Sequence, residues 1–161
     1  MDEYIKMLQD ASNMVWKAFR RCGLEKKNPE LAFRQICERY KGTSAETYVA
    51  EYTKICTEEL GNIKEPTAYL NEALKVTAEA WKVFKKHIGK LYGDEMTDGD
   101  WNRLIKDATD VGYKRWNTDV REYAKKYSCL CVEELDRHYR RIHHIREDWE
   151  KGIAKGDIHA L

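Results

Sequence analysis

Residues that interrupt or cross-link helices are scarce in this sequence. Only two of its 161 residues are proline, which ends or kinks helices, so long helices are favoured. Its five cysteines are an odd number and lack the spacing of zinc ligands, which argues against a disulfide framework and against a structural zinc site. We therefore expect reduced, mostly buried thiols in a domain that needs no covalent support.

Net charge and long apolar runs are also missing. The 29 basic and 28 acidic side chains leave a formal charge of +1, so no global field would draw the protein to nucleic acid or to an anionic membrane, although a local basic face could. No segment approaches the roughly 18 apolar residues of a membrane span. Asp2 and Glu3 stand where a signal peptide would be basic. We expect a cytoplasmic protein without a membrane partner.

One aromatic pattern is present in three places. In each place an aromatic residue lies twelve positions before a second aromatic residue, and a lysine follows the second one. The pairs are Tyr4 and Trp16, Tyr69 and Trp81, and Trp101 and Tyr113. The apolar residues around them recur at steps of three and four, which is the period of one helix face. We predict that most of these aromatics, with Phe19 and Phe84, pack in a helical core rather than against a ligand.

The predicted fold is all-α: an elongated bundle of five or six helices in a single domain over residues 1–161. Long helices are expected at 3–22, 66–92 and 98–127, with a closing helix at 129–151 and a shorter pair within 29–60. Residues 43–46 resemble a capping box, and residues 97–100 form the clearest loop and cap. Residues 117–119 and Ser128 are the expected interruptions, because their side chains can cap a new helix.

Two internal echoes suggest a duplication. Residues 4–19 align with 101–116, and residues 52–60 align with 127–135. Both ends of an approximate unit therefore recur. We predict repeat units at 3–60 and 98–152, joined by the long helix at 66–92.

The densest polar run spans residues 134–149 of the closing helix. At 100° per residue most of its cations lie opposite the apolar face. The candidates for an interaction surface are Arg137, Arg140, Arg141, His144 and Arg146. Histidines and carboxylates stand four positions apart here, but the paired Glu-x-x-His segments of di-iron bundles are missing, so we predict no metal site. We predict no cofactor, since no phosphate loop, dinucleotide fingerprint or nucleophile elbow is present.

These features favour a non-enzymatic protein that binds another macromolecule, in the first place another protein. A small inhibitor or adaptor, of the kind that mobile elements and phages encode, would have this size and composition. Tyrosines and tryptophans that the core does not need, together with the arginines of the closing helix, would anchor the partner.

Two alternatives from other classes stay open. Arg137 followed by His143 resembles the Arg-x(4–6)-His motif of HEPN-type ribonucleases, which are small, all-helical and metal-independent, and the resemblance implies RNA cleavage by these two residues. On an unbroken helix the two side chains point about 120° apart, so they would need a helix break or a symmetric dimer to meet. The other alternative is a nucleic-acid binder that uses the Trp-Lys-x-Phe-Arg-Arg type of segment as a basic, aromatic surface.

Overall fold

A computed structural model describes the backbone of residues 1–154 and the side chains of residues 1–143. The described chain has six α-helices, two short 3-10 turns and no β-strand, so the predicted all-α bundle is confirmed. The α-helices are α1 (Asp2–Glu25), α2 (Glu30–Tyr40), α3 (Glu46–Leu60), α4 (Pro66–Ile88), α5 (Asp98–Gly112) and α6 (Arg121–Ala154), and the 3-10 turns are Gly89–Tyr92 and Thr118–Val120. The 34 residues of α6 extend for about 50 Å.

Of two helix starts for which the sequence predicted a cap, the structure has the cap at α5 but not at α3. Thr97 and Asp100 form a capping box, in which each side chain accepts a hydrogen bond from the other residue's backbone N–H. The capping box predicted at residues 43–46 is wrong, because α3 begins only at Glu46. Thr43 Oγ1 instead accepts from the backbone N–H of Ala45 (3.2 Å), and Glu46 accepts from that of Gly42 (3.3 Å), so both side chains stabilise the turn before the helix.

The long helix predicted at 98–127 is wrong, because α5 ends at Gly112 and α6 starts at Arg121. The buried Trp116 folds back over the end of α5, and its indole N–H donates to the carbonyl of Val111 at 2.7 Å. The break lies beside residues 117–119, one of the two predicted interruptions. Ser128, the other one, lies inside α6 and faces Gly112, where an added Cβ would stand in ordinary van der Waals contact with the serine Cβ at 3.5 Å. Packing thus overrides the capping preference of this serine.

Four helices, α1, α3, α4 and α6, form the centre of the bundle. Helix α2 covers α1 and α3, while α5 covers α4 and α6. One hydrophobic cluster contains buried side chains from all six helices, and the partly buried Trp16 and Trp81 pack against it. The predicted core positions of Phe19 and Phe84 are confirmed. Tyr113, from the third copy of the aromatic pattern, is instead 70% exposed, because α5 ends before it.

Matching hydroxyl contacts cross the centre of the bundle. Four pairs of buried residues stand 75 positions apart on α3 and α6: Tyr48 and Tyr123, Tyr52 and Tyr127, Cys56 and Cys131, and Glu59 and Glu134. The Tyr48 hydroxyl hydrogen-bonds with Ser12 of α1 (2.7 Å) and with Tyr127 (2.9 Å). The Tyr123 hydroxyl hydrogen-bonds with Thr77 of α4 (2.7 Å) and with Tyr52 (3.1 Å). The first chain of hydroxyls joins α1, α3 and α6, and the second joins α4, α6 and α3. Each helix in one chain therefore has a counterpart in the other, α4 for α1 and α6 for α3.

The hydroxyl contacts relate α1 and α3 to α4 and α6. The repeat units predicted at 3–60 and 98–152 match α1 to α5 instead, and they stay a prediction. Ser12 and Thr77, like Tyr4 and Tyr69, stand 65 positions apart, so contacts and sequence spacing both match α1 to α4.

Two further expectations concern the cysteines and the membrane. All five cysteines are unpaired, with Cys22, Cys56 and Cys131 buried, Cys37 partly buried and Cys129 exposed. Within the described helices, none combines the length and apolar character needed to cross a membrane.

Candidate functional site

A fully buried carboxylate, Glu134, lies at the centre of a polar cluster between α1 and α6. Its oxygens accept hydrogen bonds from the Tyr4 hydroxyl, from Arg137 Nε at 3.0 Å and from Arg141 Nη2 at 2.9 Å. Burying a carboxylate is costly unless donors or cations replace its water. Here two arginines and a tyrosine do so. Burial, followed by the nearby Glu134 charge, raises the pKa of Tyr4, which therefore keeps its proton.

The other half of the protein contains a simpler version of this arrangement. Glu59 is also fully buried, and it accepts hydrogen bonds from the Tyr69 hydroxyl (3.3 Å) and from Asn62 Nδ2 (3.1 Å). Lys126 Nζ stands 3.9 Å away. A buried glutamate that binds a tyrosine hydroxyl is thus part of the common framework. The Glu134 cluster differs in its additional residues: positions 137, 138 and 141 hold Arg, His and Arg, where positions 62, 63 and 66 hold Asn, Ile and Pro.

His138 is the third added group. Its ring stacks on that of Tyr4, with 3.6 Å between centroids and 5° between planes. Arg141 Nη1 donates to Nδ1 at 2.9 Å, so the neutral ring carries its proton on Nε2 and donates it to the Tyr92 hydroxyl at 2.5 Å. Burial, the Arg141 charge and the N-terminal amine lower the pKa of His138 to about 4. The imidazole is therefore uncharged near neutral pH.

This pKa predicts a specific loss of stability in acid. The unfolded chain binds the proton with a pKa near 6.5, above the folded value of about 4, so the contribution of His138 is complete above pH 6.5 and declines as the pH falls toward 4. We expect urea unfolding to show a loss of roughly 2 kcal/mol between pH 7.5 and pH 5 that His138→Phe lacks. Phenylalanine keeps a ring on Tyr4 but cannot titrate. Parallel pH profiles of the two proteins would contradict the assignment.

The predicted arginine surface is divided between two environments. Arg137 and Arg141 are partly buried by their contacts with Glu134, and Arg137 Nη1 also reaches Glu51 of α3 at 3.3 Å. Arg140 alone of the three is largely exposed, in a pair with Asp136. His144 and Arg146, the other candidates for the surface, lie outside the residues whose side chains are described.

Arg137 and His143 are not brought together within the chain. Arg137 contacts Glu51 and Glu134, whereas the His143 ring packs on Tyr139 and its Nε2 donates to the carbonyl of Leu91 at 3.2 Å. Helix α6 is continuous from Arg121 through both residues, so their side chains point about 120° apart, as expected on an unbroken helix. Within one copy of the protein, the two side chains therefore have separate partners.

A second surface of interest is the Tyr113 groove between α5 and α6. It has a volume of about 250 Å³ and is lined by Ile105, Ala108, Thr109, Gly112, Tyr113, Lys125, Ser128, Cys129 and Val132. Lys125 Nζ lies 5.2 Å from the centroid of the Tyr113 ring. A shallower depression continues from Tyr113 across α6 to α3. Tyr113, which belongs to the aromatic pattern expected in the core, is exposed, and so is Ile105.

Sequence reasoning missed Glu134 and Tyr4 as partners, although a signal for both was available. Glu59 and Glu134 occupy the same position of the echo between 52–60 and 127–135, and Tyr4 and Tyr69 each open a copy of the aromatic pattern. Reading the two echoes together would have matched each tyrosine to a glutamate.

Within the described part of the chain, no group of three or more histidine, cysteine, aspartate or glutamate side chains is arranged to hold a metal ion. No protein-family model, no curated protein and no solved structure was found to match this chain.

Proposed function

We propose that the protein acts in the cytosol by binding another protein through the Tyr113 groove. The exposure of Tyr113 carries this proposal: the side chain is 70% exposed, more than any other aromatic side chain that the structure describes. Tyrosine is enriched among the residues that dominate interface energies, because it buries a large rigid surface and keeps a polar end. Unpaired thiols throughout the chain support the reducing compartment.

The groove beside Tyr113 would accept an apolar side chain of a partner helix. Ile105, half exposed on α5, and Val132 and Cys129 on α6 provide apolar surface along its length. Amphipathic helices bind in such grooves through apolar residues spaced by three or four positions. The partner that fits is therefore a helix with an apolar stripe.

Charge favours a protein partner over nucleic acid at this surface. The adjoining depression between α3 and α6 is lined by three lysines and three glutamates, Lys54, Lys125, Lys126, Glu51, Glu58 and Glu133. A nucleic-acid surface needs an excess of cations to replace counterions along the phosphates. Balanced charges around an apolar centre are instead typical of the polar rim of a protein interface.

The test combines capture with matched surface variants. A photo-crosslinking residue at position 113 should capture a defined protein in cells of the native host, whereas the same residue at the exposed Leu31 (64%) of α2 should not. With the captured protein purified, we expect Tyr113→Ala to weaken binding at least about tenfold and Leu31→Ala to leave it unchanged. Equal binding by the two variants would overturn the proposal. Capture of a second copy of this chain would identify self-association instead.

The ribonuclease and nucleic-acid alternatives have weaker support. The former lacks a meeting point for Arg137 and His143, and the latter loses its aromatic surface because Trp16 and Trp81 pack against the core. We expect purified protein to leave total RNA intact. Cleavage by the wild type but not by His143→Ala would restore the ribonuclease alternative.

A further inference from the structure

Another depression, on a different face from the Tyr113 groove, lies where the turn between α2 and α3 faces the middle of α6. We call it the arginine depression. It is lined by Gly42, Thr43, Ser44, Glu46, Thr47, Arg137, Arg140 and Arg141. Three arginine residues thus line the depression together with three hydroxyl-bearing residues and a single glutamate. None of the three arginines lines the Tyr113 groove.

Each arginine retains hydrogen-bond donors after its contacts within the protein are counted. A guanidinium has five N–H donors. Arg137 uses Nε and Nη1, and its Nη2 is buried without a hydrogen-bond partner among the described residues. Arg141 uses one N–H of Nη1 and one of Nη2, which leaves Nε and the second N–H of each Nη. Among the residues whose side chains are described, Arg140 pairs with Asp136, in an exposed contact that water and salt weaken.

Among the described residues, three arginines and one glutamate line the depression, while the carboxylates that pair with the arginines, Glu51, Asp136 and Glu134, lie outside this lining. Glu46 is the one carboxylate on it, and this side chain accepts a hydrogen bond from the backbone N–H of Gly42. Glu134, which offsets part of the arginine charge, is fully buried beneath α6 and does not line the surface. Its contacts hold the guanidinium groups of Arg137 and Arg141 in place. Donors that are fixed before binding lose little entropy when an anion arrives.

The internal comparison separates these arginines from the framework of the fold. Positions 62, 65 and 66, which stand 75 residues before 137, 140 and 141, hold Asn, Glu and Pro and lie beyond the end of α3 at Leu60, whereas α6 continues through the three arginines. Glu59 is nevertheless as fully buried as Glu134. A buried glutamate at this position therefore does not by itself account for three arginines.

We propose that the arginine depression binds a phosphate group. Arginine donors arranged in forks match the oxygens of phosphate, and three of them suit a tetrahedral dianion with more acceptors than a carboxylate has. The hydroxyl of Thr47, which is exposed on the turn side of the depression, supplies a further donor. The group comes either from free phosphate or from a phosphate monoester, and both present the same oxygens. This site is independent of the protein-binding groove.

The test is a titration of the full chain with inorganic phosphate, monitored by the amide resonances of residues 42–47 at constant ionic strength. We expect saturable shifts in the wild type and at least about tenfold weaker binding in Arg140→Gln, since a charge-assisted hydrogen bond is lost. Arg34→Gln is the matched control, because Arg34 is likewise exposed and pairs with a carboxylate four positions away. It should bind phosphate as the wild type does.

A difference in folding would not explain a difference in phosphate binding between the two variants, because both substituted arginines are exposed. The thermal unfolding midpoints of the two variants should stay within about 2 °C of the wild type. Shifts that do not saturate, or saturable shifts equally strong in Arg140→Gln, would overturn the proposal. A parallel titration with O-phosphoserine identifies the source of the group: tighter binding than inorganic phosphate indicates a monoester, and weaker binding indicates the free ion. Loss of partner binding in Tyr113→Ala should leave these phosphate titrations unchanged.

Discussion

Replacing Glu134 with alanine is expected to lower the free energy of unfolding by about 3 to 5 kcal/mol. The substitution leaves Arg137 and Arg141 partly buried without their carboxylate, and it removes the acceptor of the buried Tyr4 hydroxyl. An uncompensated cation in a buried place costs more than a lost surface pair, because protein around it replaces water poorly. Urea unfolding at pH 7.5 measures the change.

Alanine substitutions of two other carboxylates provide reference values for this change in the free energy of unfolding. Asp136→Ala, two positions away on α6, removes an exposed pair with Arg140 and should change stability by no more than about 0.5 kcal/mol. Glu59→Ala should be intermediate, since it leaves a tyrosine hydroxyl and an amide unpaired but no arginine. If Glu134→Ala costs no more than Asp136→Ala, the Glu134 cluster does not exist as described.

Truncating Tyr127 to alanine is expected to cost about 3 to 5 kcal/mol, as for other large aromatic side chains in a core. The Tyr127 ring is fully buried, with centroids 4.8 Å from Tyr52 and 5.7 Å from Tyr123. Its removal would open a cavity at the point where α3 and α6 meet. Tyr127→Phe keeps the ring and loses only the hydrogen bond to Tyr48, so about 1 kcal/mol is expected.

The same substitution on an exposed tyrosine is the control. Tyr113→Ala should alter the free energy of unfolding by less than about 0.5 kcal/mol, because this ring packs against little of the core. Denaturant unfolding of the three variants beside the wild type gives the comparison. Should Tyr127→Phe prove as costly as Tyr127→Ala, the hydroxyl chain rather than ring packing would hold the centre of the bundle together.

Much of the fold could be predicted because its signals are local. Apolar steps of three and four gave the inner faces of α1 and α4, and the proline at position 66 and the Thr97 cap gave helix starts within a residue or two. The polarity of the chain between residues 134 and 149 was equally visible. Its division into a buried and an exposed set of arginines was not, because Glu134 is covered by Tyr4, 130 positions earlier in the chain.

The aromatic pattern also shows that local sequence did not determine which side chains are buried. Trp16 and Trp81 pack against the core, whereas Tyr113, in the third copy of the pattern, is exposed. The side-chain type and the local spacing are alike in the three copies. What differs is that α5 ends at Gly112, where the chain turns so that α6 can pack beside α5 through Ser128. That turn depends on a contact between two helices, which no local window contains.

Periodicity, helix caps, charge balance and the scarcity of proline were enough to establish an all-α bundle, because helix formation depends on neighbours within about four residues. Tertiary packing decided which glutamate would be buried with arginines, which tyrosines would exchange hydrogen bonds and which one would remain on the surface. The long-range hydrogen bonds behind these outcomes join residues 36 to 130 positions apart in the chain. Only the folded chain brings such residues within hydrogen-bonding distance, where burial makes each contact strong enough to matter.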